Sequence, residues 1–175
     1  MKRIHYATAV LLLLFCAQLK LTELQAQSTT PPAMKASAIQ VRMIHSDSDD
    51  VKLPADFQVS LYENLIQQLQ KQGGFQHVYR EGDHNADSAT EIVVLHSTVR
   101  GFKKGSELLR NVTTVTGKTS VKIHCRFTDK DGKDLLERDL DGKVMFFGAN
   151  LRATFDFAKK AAKLAHDNFA ARPAS

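Results

Sequence analysis

Phe57, Leu61, Leu65 and Leu69 recur at every fourth residue, with Tyr62 and Ile66 widening the row. A helical repeat places all six on one stripe, and that stripe needs an apolar partner outside its own helix. Pro54 suits the opening of this helix, where a missing N–H costs nothing, and Asp56 lies favourably against the N-terminal dipole. Gly73-Gly74 offers the left-handed conformation on which helices often end. A second stripe runs from Asn150 to about Ala171 through Leu151, Phe155, Ala158, Ala162, Ala165 and Phe169. Lys159, Lys160, Lys163 and Asp167 fall elsewhere on its wheel, and Asn150 is placed to cap it. Its alanines favour the helix and let it lie close on a flat partner. Two one-sided helices therefore require a sheet.

The remaining segments supply one by period-two alternation. In Ala38 to His45, Ile39, Val41 and Met43 fall on one face and Gln40, Arg42 and Ile44 on the other. Phe75 to Arg80 is a short strand. Glu91 to Phe102 begins apolar on both faces (Ile92 and Val94 against Val93 and Leu95), the mark of an interior strand. In Lys118 to Asp129, Val121, Ile123, Cys125 and Phe127 point inward while Lys122, His124 and Arg126 point outward. Asp129-Lys130-Asp131-Gly132 is a turn, and Leu135 to Phe147 returns to close a hairpin. The order β-α-β-β-β-β-α predicts an α/β (α+β) domain. We expect a single mixed sheet of about five strands, with two helices packed on one face. The first crossover should join parallel strands, and the other pairings should be mainly antiparallel.

The first 26 residues have a different character. Lys2 and Arg3 precede an apolar run from Ala7 to Ala17, and a polar stretch leads to Leu24-Gln25-Ala26. As a helix that run rises about 16 Å, against a hydrocarbon core of ~30 Å. It is too short to span a bilayer and reads as a signal peptide, residues 1–26, cleaved after Ala26. Cys16 invites lipid attachment, but Phe15 stands where such signals want a small residue, which argues against anchoring there. Residues 27–37 (QSTTPPAMKAS) begin polar and proline-containing and read as a linker, leaving 38–171 as one domain. After cleavage Cys125 is the one cysteine left, so no internal disulfide can form and the apolar core must carry stability. A domain of about 140 residues buries roughly two thirds of its unfolded surface, which is sufficient.

Removing Lys2, Arg3, Lys20 and Glu23 takes 24 basic and 19 acidic residues to 21 and 18, a net charge of +3. Both signs are interspersed, which argues for a solvated surface rather than a nucleic-acid footprint. The one basic cluster is Arg100, Lys103, Lys104 and Arg110, at a strand end and in the connection 103–117. It lacks the aromatic interleaving that stacks bases.

From Gly101 to Phe169 the chain resembles the bacterial exported family known as domain of unknown function 4410. The matching features are Gly105-Ser106 before Arg110, Gly117 before a long strand, the turn Asp129 to Gly132, and an alanine-rich helix closing on Asn168-Phe169. Asn111 to Thr116 stands where the resemblance leads one to expect several glycines. The resemblance implies export and this fold, and brings no activity with it.

Catalytic and metal signals are weak. His96 and Ser97 are strand neighbours, so their side chains leave opposite faces and cannot form a nucleophile pair. His45, His77, His96 and His124 lie on strands, without the spacing that would force them onto one metal. Aligning Gly132 with a calcium loop puts Phe127 and Arg138 where carboxylates are required, which excludes an EF-hand. The resemblance to a bacterial family makes Asn111-Val112-Thr113 a chance glycosylation match, and Cys125 is expected as a small core residue. The expectation is an exported, periplasmic or secreted, non-enzymatic domain acting through an envelope protein or surface. We expect it to work without cofactor, metal or nucleic acid, and with no transmembrane segment in the mature chain. Its contact surface is expected at Arg100, Lys103, Lys104, Arg110, Lys122, His124 and Arg126. The alternative is a small-ligand-binding or hydrolytic domain with a pocket under the 103–117 connection.

Overall fold

The computed structural model describes residues 34–72, 74–106, 117–144 and 149–170, all within the unit Ala33–Ser175. Met1 to Ala33, Gly73, Arg110 and the rest of 107–116 lie outside the described residues. The signal peptide, Cys16, Ala26 and most of the 103–117 connection lie there too.

The elements are β1 (Ala38–Val41), β2 (His45–Ser46), α1 (Ala55–Lys71), β3 (His77–Arg80), a 3₁₀ turn (His84–Ala86), β4 (Ile92–Lys103), β5 (Thr119–Thr128), β6 (Asp134–Val144) and α2 (Arg152–Phe169). They form one mixed sheet in the order β3-β1-β4-β5-β6, with short β2 beside β4, so the expected fold class holds. β4 takes the central position that its two-sided apolar start predicts. The hairpin β5–β6 closes on a turn in which Asp129 Oδ1 accepts the N–H groups of Asp131 and Lys133. Gly132 supplies the positive φ, +86°, that this turn needs.

Pairing departs from expectation at β4, which runs parallel to β1 as β3 does. The two strands flank β1, so the connection from Arg80 to Ile92 must cross the sheet. Its 3₁₀ turn covers the outer face, where Ala86 packs with Ala38 and Ile92.

The core lies between the sheet and both helices. Ile39, Val41, Val93, Leu95, Val99, Val121, Ile123, Cys125 and Phe127 meet Leu61, Leu65, Leu69, Phe157 and the α2 alanines, nearly all of them fully buried. A polar clasp joins the helices near their starts: Asn64 Nδ2 donates to Thr154 Oγ1 at 2.8 Å, and Ser60 Oγ lies 2.9 Å from the same oxygen. Ala36 is already buried in this body and bridges to Ala170.

Four local expectations are corrected. Met43 is exposed and Ile44 packs on the core, because Val41 pairs with Leu95 but His45 with Thr98, so one extra residue reverses the alternation. The amide of Met43 turns instead to Glu81 Oε2 at 2.7 Å. Leu151 and Phe155 are exposed, since the buried stripe of α2 is set by Phe157, Ala158, Ala161, Ala162, Ala165 and Phe169. Phe155 precedes Phe157 by two residues, about 200° around the wheel. Leu151 rather than Asn150 occupies the N-cap position of α2, and the Asn150 side chain meets Thr119 Oγ1. Finally, Gly74 is not left-handed; a Cβ there would collide with Ala170 and His166, so its role is close approach to α2.

Candidate functional site

Among the described residues the helices cover one face of the sheet, and the other carries the candidate site. Alternation sends Ser120, Lys122, His124 and Arg126 of β5 outward. The register sets them opposite Lys143, Asp141, Asp139 and Glu137 of β6. Opposite charges directly across an antiparallel pair attract, so most of this surface is neutralised in rows. His124 Nδ1 lies 2.8 Å from Asp139 Oδ1, and Arg100 Nη1 donates to the same carboxylate at 2.9 and 3.2 Å. These contacts, the His124 hydrogen bond foremost, hold the Asp139 carboxyl below its ordinary pKa. Arg126 Nε bonds Asp134 and lies 3.8 Å from Glu137. The Lys143 hydrogen bond is the largest of the contacts that lower the Asp141 pKa.

The structure therefore joins Arg100, His124 and Arg126 into one network through Asp139 and Glu137, with exposed Lys122 beside it. Lys103 and Lys104 stand apart, at the far end of β4. There Lys103, Lys118, Thr119, Ser120 and Lys143 line a cavity of about 300 Å³ at the base of the 103–117 connection. Arg110 is outside the described residues. Sequence reasoning missed Asp134, Glu137, Asp139 and Asp141. The alternation of Glu137, Asp139 and Asp141 along β6 was the available signal, once a register with β5 is assumed, while Asp134 lies beyond a register shift.

Beside this network the outer face is concave. A trough of about 630 Å³ is floored by Gln40, Arg42, Ile92 and Val94 and walled by residues 82–89 and by Lys130-Asp131 of the hairpin turn. Through Arg42 it adjoins a cavity of about 310 Å³ lined by His45, Glu81, His96, Thr98, His124 and Arg126 among others. Arg42 Nη1 donates to Glu81 Oε1 at 3.0 Å. His96 is half-buried at the cavity floor, with Nε2 3.3 Å from Thr128 Oγ1. Burial lowers its pKa from 6.5, and Arg126 and Arg42 push the same way.

Nucleophilic and metal chemistry find little here. Ser97 points into the core beside Cys125, its register neighbour, while His96 points out, as strand geometry requires. Thr98, His124 and Asp139 do fall in one row across three strands. Yet both ring nitrogens of His124 face β6, with Nε2 3.8 Å from Glu137, so none is directed at the Thr98 hydroxyl. Burial pushes the Cys125 thiol up to about 12, far from a reactive thiolate. Three of the four strand histidines share a cavity while His77 stacks on Tyr79 at the sheet edge. Among the described residues no group of three or more His, Cys, Asp or Glu is arranged to hold a metal ion. No helix among them is long and apolar enough to cross a membrane.

No family model and no curated protein matches the chain. The likeness to the domain of unknown function 4410 family thus stands on its motifs alone. Solved structures do share the fold. The PelC dodecamer from Paraburkholderia phytofirmans superposes with a TM-score of 0.56 at 15% identity, over 77% of this chain and 91% of that one. Protein XCC0632 from Xanthomonas campestris, of family DUF330, gives 0.51 at 11% identity over 78% and 86%. A minor lipoprotein from Acinetobacter baumannii is more distant, with a TM-score of 0.43 at 14% identity over 75% and 94%. At these identities the likeness is one of fold.

Proposed function

We propose that the chain is an exported, non-enzymatic domain of the bacterial envelope that works by protein contact, as a subunit of an assembly. The observation that carries this reading is the asymmetry of the sheet. Its inner face is sealed by two helices, while the outward side chains of β4 to β6 form an ordered charge network open to solvent. Such a surface suits a specific, polar, electrostatically steered contact. A fold shared with a dodecamer of bacterial origin supports assembly as the mode of action. Arg100, Lys122, His124 and Arg126 are the proposed contact residues, with Lys103, Lys104 and Arg110 at the adjoining end.

The same reading includes residues 1–26 as a cleaved signal peptide, 27–37 as the lead into the domain at 38–171, and a distant tie to the 4410 family. Whether Cys16 is removed with the signal or lipidated is decided by the mature N-terminus. The test is recovery of the protein from its own cells by fractionation, intact-mass analysis and cross-linking. The expected protein begins at Gln27, partitions with the envelope and cross-links to itself or to one envelope partner. A lipidated Cys16 start keeps the envelope reading and replaces cleavage at Ala26 with an anchor. A cytosolic protein retaining Met1, or a monomer without partners, overturns the proposal.

The alternative of a small-ligand or hydrolytic pocket under residues 103–117 has one observation in its favour, the cavity between Lys103, Lys118 and Lys143. A small molecule retained by the wild-type protein in native mass spectrometry and lost in Lys118→Glu would favour it.

A further inference from the structure

The geometry points to an oxyanion-binding site in the 310 Å³ cavity of the outer face, whose lining brings together Arg42, Arg126, His96 and Thr98 beside the Glu81 carboxylate that Arg42 holds. This goes beyond protein contact, since the ligand is a phosphate, sulfate or carboxylate group. Each arginine uses one nitrogen on its carboxylate: Arg42 donates Nη1 to Glu81, and Arg126 donates Nε to Asp134, with Glu137 3.8 Å away. Their remaining N–H groups have no protein partner among the described residues, and both side chains line the same cavity from opposite sides of β4. Two arginines lining one hollow offer planar donor forks of the kind that recognise oxyanions. The ion pairs with Glu81 and Asp134 fix the two side chains before a ligand arrives, which limits the ordering cost of binding. Thr98 adds a hydroxyl donor.

His96 links this site to pH. The groups facing it are Arg42 from the end of β1, Glu81 beyond β3, Arg126 and Thr128 from β5 and Asp134 from β6; His45 and His124 line the same cavity. Burial first, then Arg126 and Arg42, disfavour its protonation, against the smaller opposing pull of Glu81 and Asp134. A bound oxyanion offsets the share of that penalty that comes from the two arginines. By linkage, protonation of His96 then tightens the anion.

The test is titration of the mature protein with sulfate, whose charge is constant near neutral pH, followed by histidine ring resonances and by calorimetry. Inorganic phosphate and glucuronate serve as parallel probes. We expect saturable binding that shifts the His96 resonance and tightens severalfold from about pH 7.5 to about 5.5. Arg42→Gln and Arg126→Gln should each weaken it by about tenfold, the loss of one charge-assisted pair. Arg126→Lys should keep part of the affinity, and Lys159→Gln, on the exposed side of α2, should leave binding unchanged. Preference for sulfate and phosphate identifies a tetrahedral anion, whereas preference for glucuronate identifies an acidic glycan; either supports the site. Absence of saturable binding by all three probes, or binding that leaves the His96 resonance unmoved, overturns it. The wild-type resonance map alone decides this if a variant does not fold.

Discussion

The two faces of this sheet are made from alternate residues of the same strands, and they are organised by different physics. On the inner face of β5, Val121, Ile123, Cys125 and Phe127 are at most 1% exposed and have helices above them. On its outer face, Lys122, His124 and Arg126 stand opposite carboxylates in water. Non-directional apolar burial stabilises the first surface, at roughly 25 cal/mol per Å². Solvent-screened ion pairs organise the second and contribute little stability each, about 0–1 kcal/mol. The difference teaches that the inner face decides whether the domain folds, while the outer face is left free to be shaped by what it must touch.

The sharpest way to break this division is to cut into the inner face. Phe157 is fully buried in α2 against the sheet. Phe157→Ala should cost about 3–5 kcal/mol, read as the change in urea unfolding free energy, because the lost transfer energy and the cavity add. A cost below about 1 kcal/mol would mean the core is not where the two layers meet. Gly142 probes the same seam from the backbone side. A Cβ there would strike the Ala153 carbonyl, Phe157 and Val121. Gly142→Ala should therefore cost about 1–3 kcal/mol, since overpacking displaces α2 from the hairpin.

The two faces were also unequally legible in the sequence. Inward residues of β4, β5 and α1 are readable because alternation or helical spacing is local, and full burial tolerates no exceptions. Where local phase slips, reading fails: one extra residue between Val41 and His45 exposes Met43, and a shift of two residues on α2 exposes Phe155. The outer site was only half readable. Lys122, His124 and Arg126 announce themselves on one strand, but their meaning depends on partners fixed by register. Arg42 meets Glu81, and Arg100 meets Asp139, each across 39 positions of chain. Nothing local marks such a pair. The concavity itself arises because β3 and β4 flank β1 and force residues 81–91 across the outer face, a topological fact that single-strand patterns do not carry.

Substitution on the outer face sharpens the comparison from the other side. Arg126→Gln should change unfolding free energy by no more than about 0.5–1 kcal/mol, because its side chain is 41% exposed and its ion pairs are screened. Its effect should appear in contact and ligand assays instead. Thermal melts of Phe157→Ala and Arg126→Gln under one set of conditions separate the two faces directly. Equal losses would erase the distinction.

The smallest expected effect is the most diagnostic, because it belongs to a half-buried ring on the outer face whose titration responds to its surroundings. Burial, then Arg126 and Arg42, lower the His96 pKa from its ordinary 6.5. The unfolded chain therefore binds a proton that the folded chain resists, and stability rises with pH across that interval. Above pH 6.5 this contribution is fully present. As pH falls through 6.5 toward the lower folded value it is lost, and below that value it no longer changes. His96→Gln removes the titration, so its stability should stay flatter than wild type between about pH 7 and 5. Solvent around a half-exposed ring keeps the slope shallow, so the measurement needs matched chemical-unfolding curves at several pH values rather than one melt. Sulfate should shrink the wild-type slope and leave the His96→Gln curve unchanged in shape. If both proteins show the same slope, the ring does not sense the arginines, and the outer face is as indifferent to its charges as any solvated surface.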